Sequence, residues 1–299
     1  MKIAITGNLG FVGKHLEDYL ISPNGEFTEG YTEVVGFDSK KGQDLLDYEQ
    51  VRTWLDLQRP THIYHLAAQA YVPESFINPR RAFEVNTMGS LNLLEAVRQL
   101  GLKTRILLAG TSEEYGNGGP NEEDPPNPLS PYAISKLAMD HIGRLYAKSY
   151  GMNVVVTRAF NHTGPGRGEQ YAESAFAKQI VEIENGTRQV LKHGNLESIR
   201  NYTDVRDTVQ AYVQAIELPS DVYNICSDQN VSMDEVLAML CNSSDTDIQT
   251  EVDPNLYRPS DFSFKKPSCK KFTKLTDWKP EIKLEQTLSD LLNYWRIRL

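Results

Sequence analysis

The sequence predicts a doubly wound parallel α/β sheet followed by a smaller C-terminal α+β portion. Three observations carry that prediction. Short apolar runs alternate with amphipathic stretches of helical period through the first half of the chain. A turn rich in glycine, Gly7-Asn8-Leu9-Gly10-Phe11-Val12-Gly13, separates the first apolar run from the first helical stretch. Past Gly164 the alternation weakens and the elements shorten. In chain order, Lys2–Thr6 reads as the first strand and residues 12–20 as the helix after the turn. Glu33–Phe37 is the second strand, ended by Asp38, and residues 62–66 are the third. Residues 82–100 read as one long helix, and Arg105–Ala109 as a fourth strand that delivers Thr111-Ser112-Glu113 at its carboxyl end. Four prolines within residues 120–128 exclude helix or central strand there. Pro131–Tyr150 is a second long helix, residues 153–158 a strand and residues 222–226 a later one. Shorter elements follow around residues 173–185 and Met233–Cys241, then an irregular stretch over residues 253–283 and a last helix near residues 284–298. The expected division is residues 1–164, with segments near 199–228 returning to the sheet, and residues 165–299 as the second part.

Size and charge bound the function. The 299 residues suffice for one large or two modest cores, and 31 basic against 40 acidic residues give a net charge of −9. A general affinity for nucleic acid or acidic lipid is therefore not expected, and an anionic ligand must be held by local arginines and helix ends. Cys226, Cys241 and Cys269 are odd in number without metal-like spacing, and no metal site is expected. Free thiols in a reducing, cytoplasmic setting follow, since no leader-like or membrane-spanning apolar stretch stands out.

The turn carries chemistry because of its context. Gly7, Gly10 and Gly13 allow a tight bend, close approach of backbone to a pyrophosphate, and close packing of helix on sheet. The helix behind them offers free N–H groups and partial positive charge to phosphates, which defines a dinucleotide site over Leu9, Phe11 and Val12. Asp38 is placed to accept from ribose hydroxyls and to repel a 2′-phosphate, favouring NAD, while Ser39, Lys40 and Lys41 soften that preference towards NADP. Asp44-Leu45 and Leu66-Ala67-Ala68 are weaker candidates for the same site.

Tyr132 and Lys136 lie four apart on a predicted helix, so a phenol and an ammonium share one face. A lysine beside a tyrosine lowers a pKa that starts near 10, which suits a base acting on a sugar hydroxyl. Glu113, just upstream, adds a carboxylate.

Together these residues resemble the extended short-chain dehydrogenase/reductase family that acts on nucleotide sugars. The likeness rests on the turn, Asp38, Asp44-Leu45, His65-Leu66-Ala67-Ala68, Asn86 and the Tyr132/Lys136 pair. Within that family the chain is most similar to GDP-mannose 4,6-dehydratases and GDP-4-keto-6-deoxy-mannose reductases. Gly110-Thr111-Ser112-Glu113-Glu114-Tyr115-Gly116, Phe160-Asn161-His162, residues 194–200, Tyr257-Arg258-Pro259 and Trp278-Lys279-Pro280 carry it across the chain. The resemblance implies a Rossmann-type fold, an NAD(P) cofactor also touched by Phe160, and a GDP-linked hexose substrate. It makes Tyr132 the base at the C4 hydroxyl, Lys136 its partner and ribose ligand, Thr111 a second contact to that hydroxyl, and Glu113 the acid/base of elimination. Asn161, Lys178, Arg200 and Arg258 would hold the diphosphate, and the two long helices would form a four-helix homodimer interface. A 4,6-dehydratase is the leading expectation because a carboxylate such as Glu113 is needed to take the C5 proton. Residues 163–166 and 201–207 favour the alternative, a 4-keto reductase, with a C4 epimerase as a further alternative. A non-catalytic binding protein on the same fold is disfavoured by retention of both Tyr132 and Lys136.

Overall fold

The computed structural model describes residues 1–22, 33–257 and 267–299. The chain runs β1 (Lys2–Thr6), α1 (Phe11–Ile21), β2 (Glu33–Phe37), α2 (Tyr48–Gln58), β3 (His62–His65), α3 (Val72–Ile77) and α4 (Pro79–Phe83). A π-helical turn (Glu84–Met88) leads into α5 (Gly89–Gln99), then β4 (Arg105–Ala109), α6 (Pro131–Tyr150), β5 (Asn153–Ala159) and β6 (Asn161–Thr163). The second half holds α7 (Ala172–Glu184), β7 (Leu191–His193), β8 (Ile199–Asp204), α8 (Val205–Ala215), β9 (Val222–Ile225) and β10 (Asn230–Ser232). It ends with α9 (Met233–Cys241), β11 (Thr250–Val252), α10 (Lys270–Thr276) and α11 (Leu284–Arg296).

Among the described residues, six parallel strands form the main sheet in the order β2-β1-β3-β4-β5-β9. The chain goes from β1 to one side and then crosses to the other, so the order reverses between β1 and β3. A crevice opens outside the carboxyl ends of the strands at such a reversal, and ligands bind there. Ile3, Ile5, Tyr64 and Leu107 pack on one face under α1 and α8, together with Phe272 and Trp278. On the other face Ala4, Ile63, Ile106 and Leu108 meet Leu55, Leu93 and Met139 from α2, α5 and α6. A separate apolar cluster joins α7, α9 and α11 through Ile180, Val236, Leu240, Leu288 and Leu291. Two small sheets, β10-β8-β6 and β11-β7, stand beside it.

The predicted helix over residues 82–100 is continuous in the structure, begins at Pro79, and carries a π-helical turn over Glu84–Met88. Asn86 sits in that turn: its side chain accepts from the Gln69 amide (2.8 Å) and donates to Gln69 O (3.1 Å) and Ser135 Oγ (2.9 Å). These bonds tie the loop after β3 to α6, and a π-helical turn widens the backbone at that point. The stretch over residues 253–283 is less irregular than expected where it is described, because α10 and Trp278 dock on the main sheet. The Trp278 indole donates to Asp207 O, and the Asp207 carboxylate accepts from the amides of Glu281 and Ile282. No helix among the described residues is long and apolar enough to cross a membrane.

Candidate active site

The glycine turn sits at the carboxyl end of β1. Gly7 has φ +75°, and a Cβ there would lie 2.9 Å from the Ala67 backbone. A Cβ on Gly13 would meet Gly7 O at 2.2 Å, so α1 can approach the turn only without a side chain at that position. Gly10 caps α1 without a side-chain acceptor, which leaves the first helical N–H groups to face the crevice. A cavity of about 600 Å³ opens there, lined by Gly7, Leu9, Gly10, Phe11, Val12 and Gly13 from the turn, Leu66 and Ala68 after β3, and Tyr132 and Lys136 from α6.

Five residues expected at this cavity do not line it. The Asp38 carboxylate is buried and folds the turn itself, accepting from the Leu9 amide (3.0 Å) and the Lys40 amide (2.9 Å). Lys40 lines the cavity instead, its ammonium donating to Leu9 O (3.2 Å). Asp44 caps its own turn at the Leu46 amide, and Leu45 is buried in the core beneath α5. Ala67 contributes backbone against Gly7, its amide donating to the Thr6 hydroxyl. Phe160 also lies elsewhere, stacked on Tyr115 at the wall of a second cavity.

Ser130 starts α6 by accepting from the Ala133 amide (3.0 Å), with Pro131 at the first helical position. That start places Tyr132 and Lys136 one turn apart on a buried face, and Tyr132 lines both cavities. The pair does not work electrostatically as its spacing suggests. Lys136 donates to Ala109 O (2.8 Å), and burial lowers its pKa to about 8 against the opposing pull of Glu114. Burial raises the Tyr132 phenol above its ordinary value; its hydrogen bond with Thr111 offsets this in part, and the Glu113 charge adds to it. Desolvation by burial is the largest influence on the phenol.

The second cavity, about 610 Å³, adjoins the first through Tyr132 and is lined by Thr111, Glu113, Asn161 and Arg200. Asn161 Oδ1 is buried there without a hydrogen-bond partner among the described residues. Arg200 donates to Ile199 O (2.9 Å). Lys178 does not line this cavity: its ammonium is paired with Glu169 and with Glu182 (3.6 Å). Arg258 lies outside the described residues.

Sequence reasoning missed the junction between the cavities. Arg167 lines both, stacked over Tyr171 (3.4 Å) and Phe11 (5.1 Å) and paired with Glu173 (3.4 Å). Tyr202 donates to Glu173 Oε2 (3.1 Å), and His162 stacks on Phe11. The signal was present in Gly164-Pro165-Gly166-Arg167-Gly168, an arginine held in a turn after a strand, but nothing local said which cavity it met. His62 and His65 are satisfied structural histidines. His65 bonds Thr6 Oγ1 and Ser90 Oγ (2.8 Å each), and His62 pairs with Glu217.

A glycine cradle at a sheet reversal, opening into a second cavity through a buried tyrosine and lysine, defines an NAD(P)-dependent oxidoreductase of the short-chain dehydrogenase/reductase type. Residues 4–291 match the family described as GDP-mannose 4,6 dehydratase, and the chain belongs to that family. It is 31% identical to a GDP-6-deoxy-D-mannose reductase of Pseudomonas aeruginosa over 100% of this chain and 98% of the relative. It is 30% identical to GDP-mannose 4,6 dehydratase 1 of Arabidopsis thaliana over 84% of this chain and 72% of the relative. Among solved structures, RMD from Pseudomonas aeruginosa complexed with NADPH superposes with a TM-score of 0.88 at 31% identity, covering 100% of this chain and 99% of that one. The UDP-glucose 4-epimerase of Thermus thermophilus in complex with NAD gives a TM-score of 0.87 at 29% identity, with 99% of each chain covered.

Proposed function

We propose that this protein is a nucleotide-sugar 4,6-dehydratase that converts GDP-mannose to the 4-keto-6-deoxy sugar. The observation that carries this reading is Glu113, a carboxylate lining the same cavity as Thr111 and Tyr132 and close enough to raise the phenol's pKa. The glycine cradle and the open N-terminus of α1 fit an NAD(P) pyrophosphate, and Lys40 in the lining admits a 2′-phosphate. When bound, that cofactor supplies a hydride acceptor at its nicotinamide ring. Tyr132 takes the proton of the C4 hydroxyl while Thr111 hydrogen-bonds the same oxygen. Glu113 removes the C5 proton, which is acidic once C4 is a ketone, and passes it to the 6-hydroxyl, which leaves as water. The C5–C6 alkene would then take back at C6 the hydride removed from C4 and a proton at C5, giving the 4-keto-6-deoxy sugar. Asn161 and Arg200 hold the nucleotide diphosphate. Asn161 supplies an amide whose acceptor has no partner among the described residues, and Arg200 a cation suited to phosphate. The dinucleotide part comprises residues 1–164 with returning segments near 199–228, and the sugar part is drawn mainly from residues 165–299.

A second reading, 4-keto reduction, is favoured by the full-length likeness to the Pseudomonas reductase. One assay separates the two. Protein incubated with GDP-mannose and no added reductant is expected to yield a 4-keto product, read by its absorbance in alkali and by mass spectrometry. Consumption of a keto sugar only when NADPH or NADH is supplied would replace the dehydratase by the reductase. Under the leading reading, Glu113→Gln stops dehydration by roughly a hundredfold or more while solvent-independent C4 hydride exchange persists. Equal loss of both would remove Glu113 as the C5 base.

A homodimer is part of the same proposal. Ile134 and Leu145 are exposed about three turns apart on α6, and Phe83 and Met88 are exposed on the helical segments packed against it. Leu145→Glu is expected to yield monomer in sedimentation velocity. An unchanged sedimentation coefficient would place the interface elsewhere.

A further inference from the structure

Glu114 is fully buried behind the active site, and no step proposed above uses it. Its two carboxylate oxygens are both occupied. Oε1 accepts from the Thr111 amide (3.1 Å), and Oε2 accepts from Arg158 Nε (2.9 Å). Thr111 answers by accepting from the Glu113 amide at its hydroxyl (3.2 Å), so Thr111 and Glu114 close a reciprocal cap around the short 3₁₀ turn Ser112–Tyr115. The space is tight: a Cβ on Gly110 would lie 2.9 Å from Glu114 Oε1.

The far end of the contact is equally fixed. Arg158, 2% exposed on β5, also donates from Nη2 to Asp140 Oδ2 (2.7 Å), and its guanidinium lies 4.9 Å from the Tyr115 ring centroid. Asp140 is buried on α6, one turn after Lys136 and two turns after Tyr132, and Arg144 reaches it from the surface (2.6 Å). One guanidinium therefore joins the loop that carries Thr111 and Glu113 to the helix that carries Tyr132 and Lys136. Two carboxylates and an arginine in a dry interior gain little net stability over an apolar packing of the same volume. They do impose one geometry, because each donor and acceptor is left unpaired if the elements slide.

We infer that Glu114, held by Arg158 and Asp140, is a positioning residue that fixes the Thr111 backbone so that the Thr111 hydroxyl meets the Tyr132 phenol. This inference rests on the catalytic reading of Thr111 and Tyr132 given above. It extends that reading to a residue that touches neither substrate nor cofactor, and it holds for dehydration and for keto reduction alike. In Glu114→Gln one of the two oxygens becomes an amide donor, which meets either the Thr111 amide or the Arg158 guanidinium where an acceptor stood.

The test is a double-mutant cycle on the holoenzyme with its nucleotide sugar. Glu114→Gln is expected to lower kcat roughly ten- to hundredfold, as a small misplacement of a reacting group does, with KM for the nucleotide sugar within about twofold. Thr111→Val is expected to lower kcat by roughly a hundredfold. Because Glu114 acts through Thr111, the double variant should be no slower than Thr111→Val alone. Multiplying effects, or a Glu114→Gln enzyme with unchanged kcat and only a lower melting temperature, would reduce Glu114 to a purely structural residue and overturn the inference. A Thr111→Val enzyme of full activity would instead remove the catalytic reading on which it stands. Should Glu114→Gln not fold, Arg158→Lys, which keeps the cation but loses the fork, carries the same expectation in the same cycle.

Discussion

Tyr132→Phe is expected to leave a folded, cofactor-binding protein whose turnover is lower by roughly a thousandfold, within the range that general acid–base groups contribute. The substitution deletes one hydroxyl from a ring that is already buried, so packing on α6 barely changes. It removes the atom that joins the two cavities and the partner of the Thr111 hydroxyl. Cofactor binding, followed by fluorescence of the reduced nicotinamide, is expected to survive, because the glycine cradle and Lys136 are untouched. A variant with more than a tenth of native kcat would remove Tyr132 from the chemistry.

The pH dependence has a defined sign. Burial lowers the Lys136 pKa to about 8, so its ammonium is charged at neutral pH and is discharged as pH rises through that value. The alkaline limb of kcat should therefore begin near pH 8. The phenol moves the other way, because burial raises its pKa and keeps it protonated over that range. Its deprotonation has to be driven by the substrate complex: Thr111 supplies one hydrogen bond, and a cationic nicotinamide ring would favour the phenolate. A kcat profile flat from about pH 7 to about pH 10 would contradict the placement of Lys136.

Gly13→Ala has the second largest expected effect, and it acts on both stability and cofactor affinity. The added Cβ would sit 2.2 Å from Gly7 O and 2.7 Å from Asn8 Cα. Both obstacles are backbone, and neither can rotate away. Gly7 is fixed by the hydrogen bond its N–H donates to Phe37 O (2.8 Å) and by the Ala67 backbone against it. Helix α1 must therefore lift from the turn, losing packing of Leu16 and Leu20 against Ile3 and Ile5. We expect a destabilisation of about 3 kcal/mol, typical of overpacking that the surroundings cannot absorb. Cofactor affinity should fall roughly tenfold or more, because the N–H groups of α1 move away from the pyrophosphate. Thermal melting with and without cofactor checks both. A melting temperature unchanged within error would show that α1 tolerates the displacement.

What could be read from the chain was what its chemistry keeps local. The three glycines lie within one turn, so their backbone demand is visible without knowing the fold. Tyr132 and Lys136 lie one helical turn apart, so their shared face follows from helical geometry alone. The six strands of the main sheet announce themselves as apolar runs because a parallel sheet is buried on both faces. The short strands of the second half did not. β6, β8 and β10 have three, six and three residues, include Asn161, Asn201 and Asn230, and form only by pairing with one another.

Side-chain partners across long sequence distances were decided by tertiary structure. Asp38 ends the second strand as expected, yet its acceptors are taken by the Leu9 and Lys40 amides, which the sequence places near it only in part. Lys178 looked available for a diphosphate until the fold set Glu169 and Glu182 beside it. Tyr132 and Lys136 were legible as a pair, but the sign of each pKa shift was not, because the groups that bury them come from outside the helix. The Glu114–Arg158–Asp140 link spans 44 residues one way and 18 the other. The sequence by itself determined the residue types, the turn and the helical register that make this site chemically competent. Only the folded chain determined which of those groups desolvate one another, because charge and hydrogen bonding act through space at a few ångströms and carry no record of sequence separation.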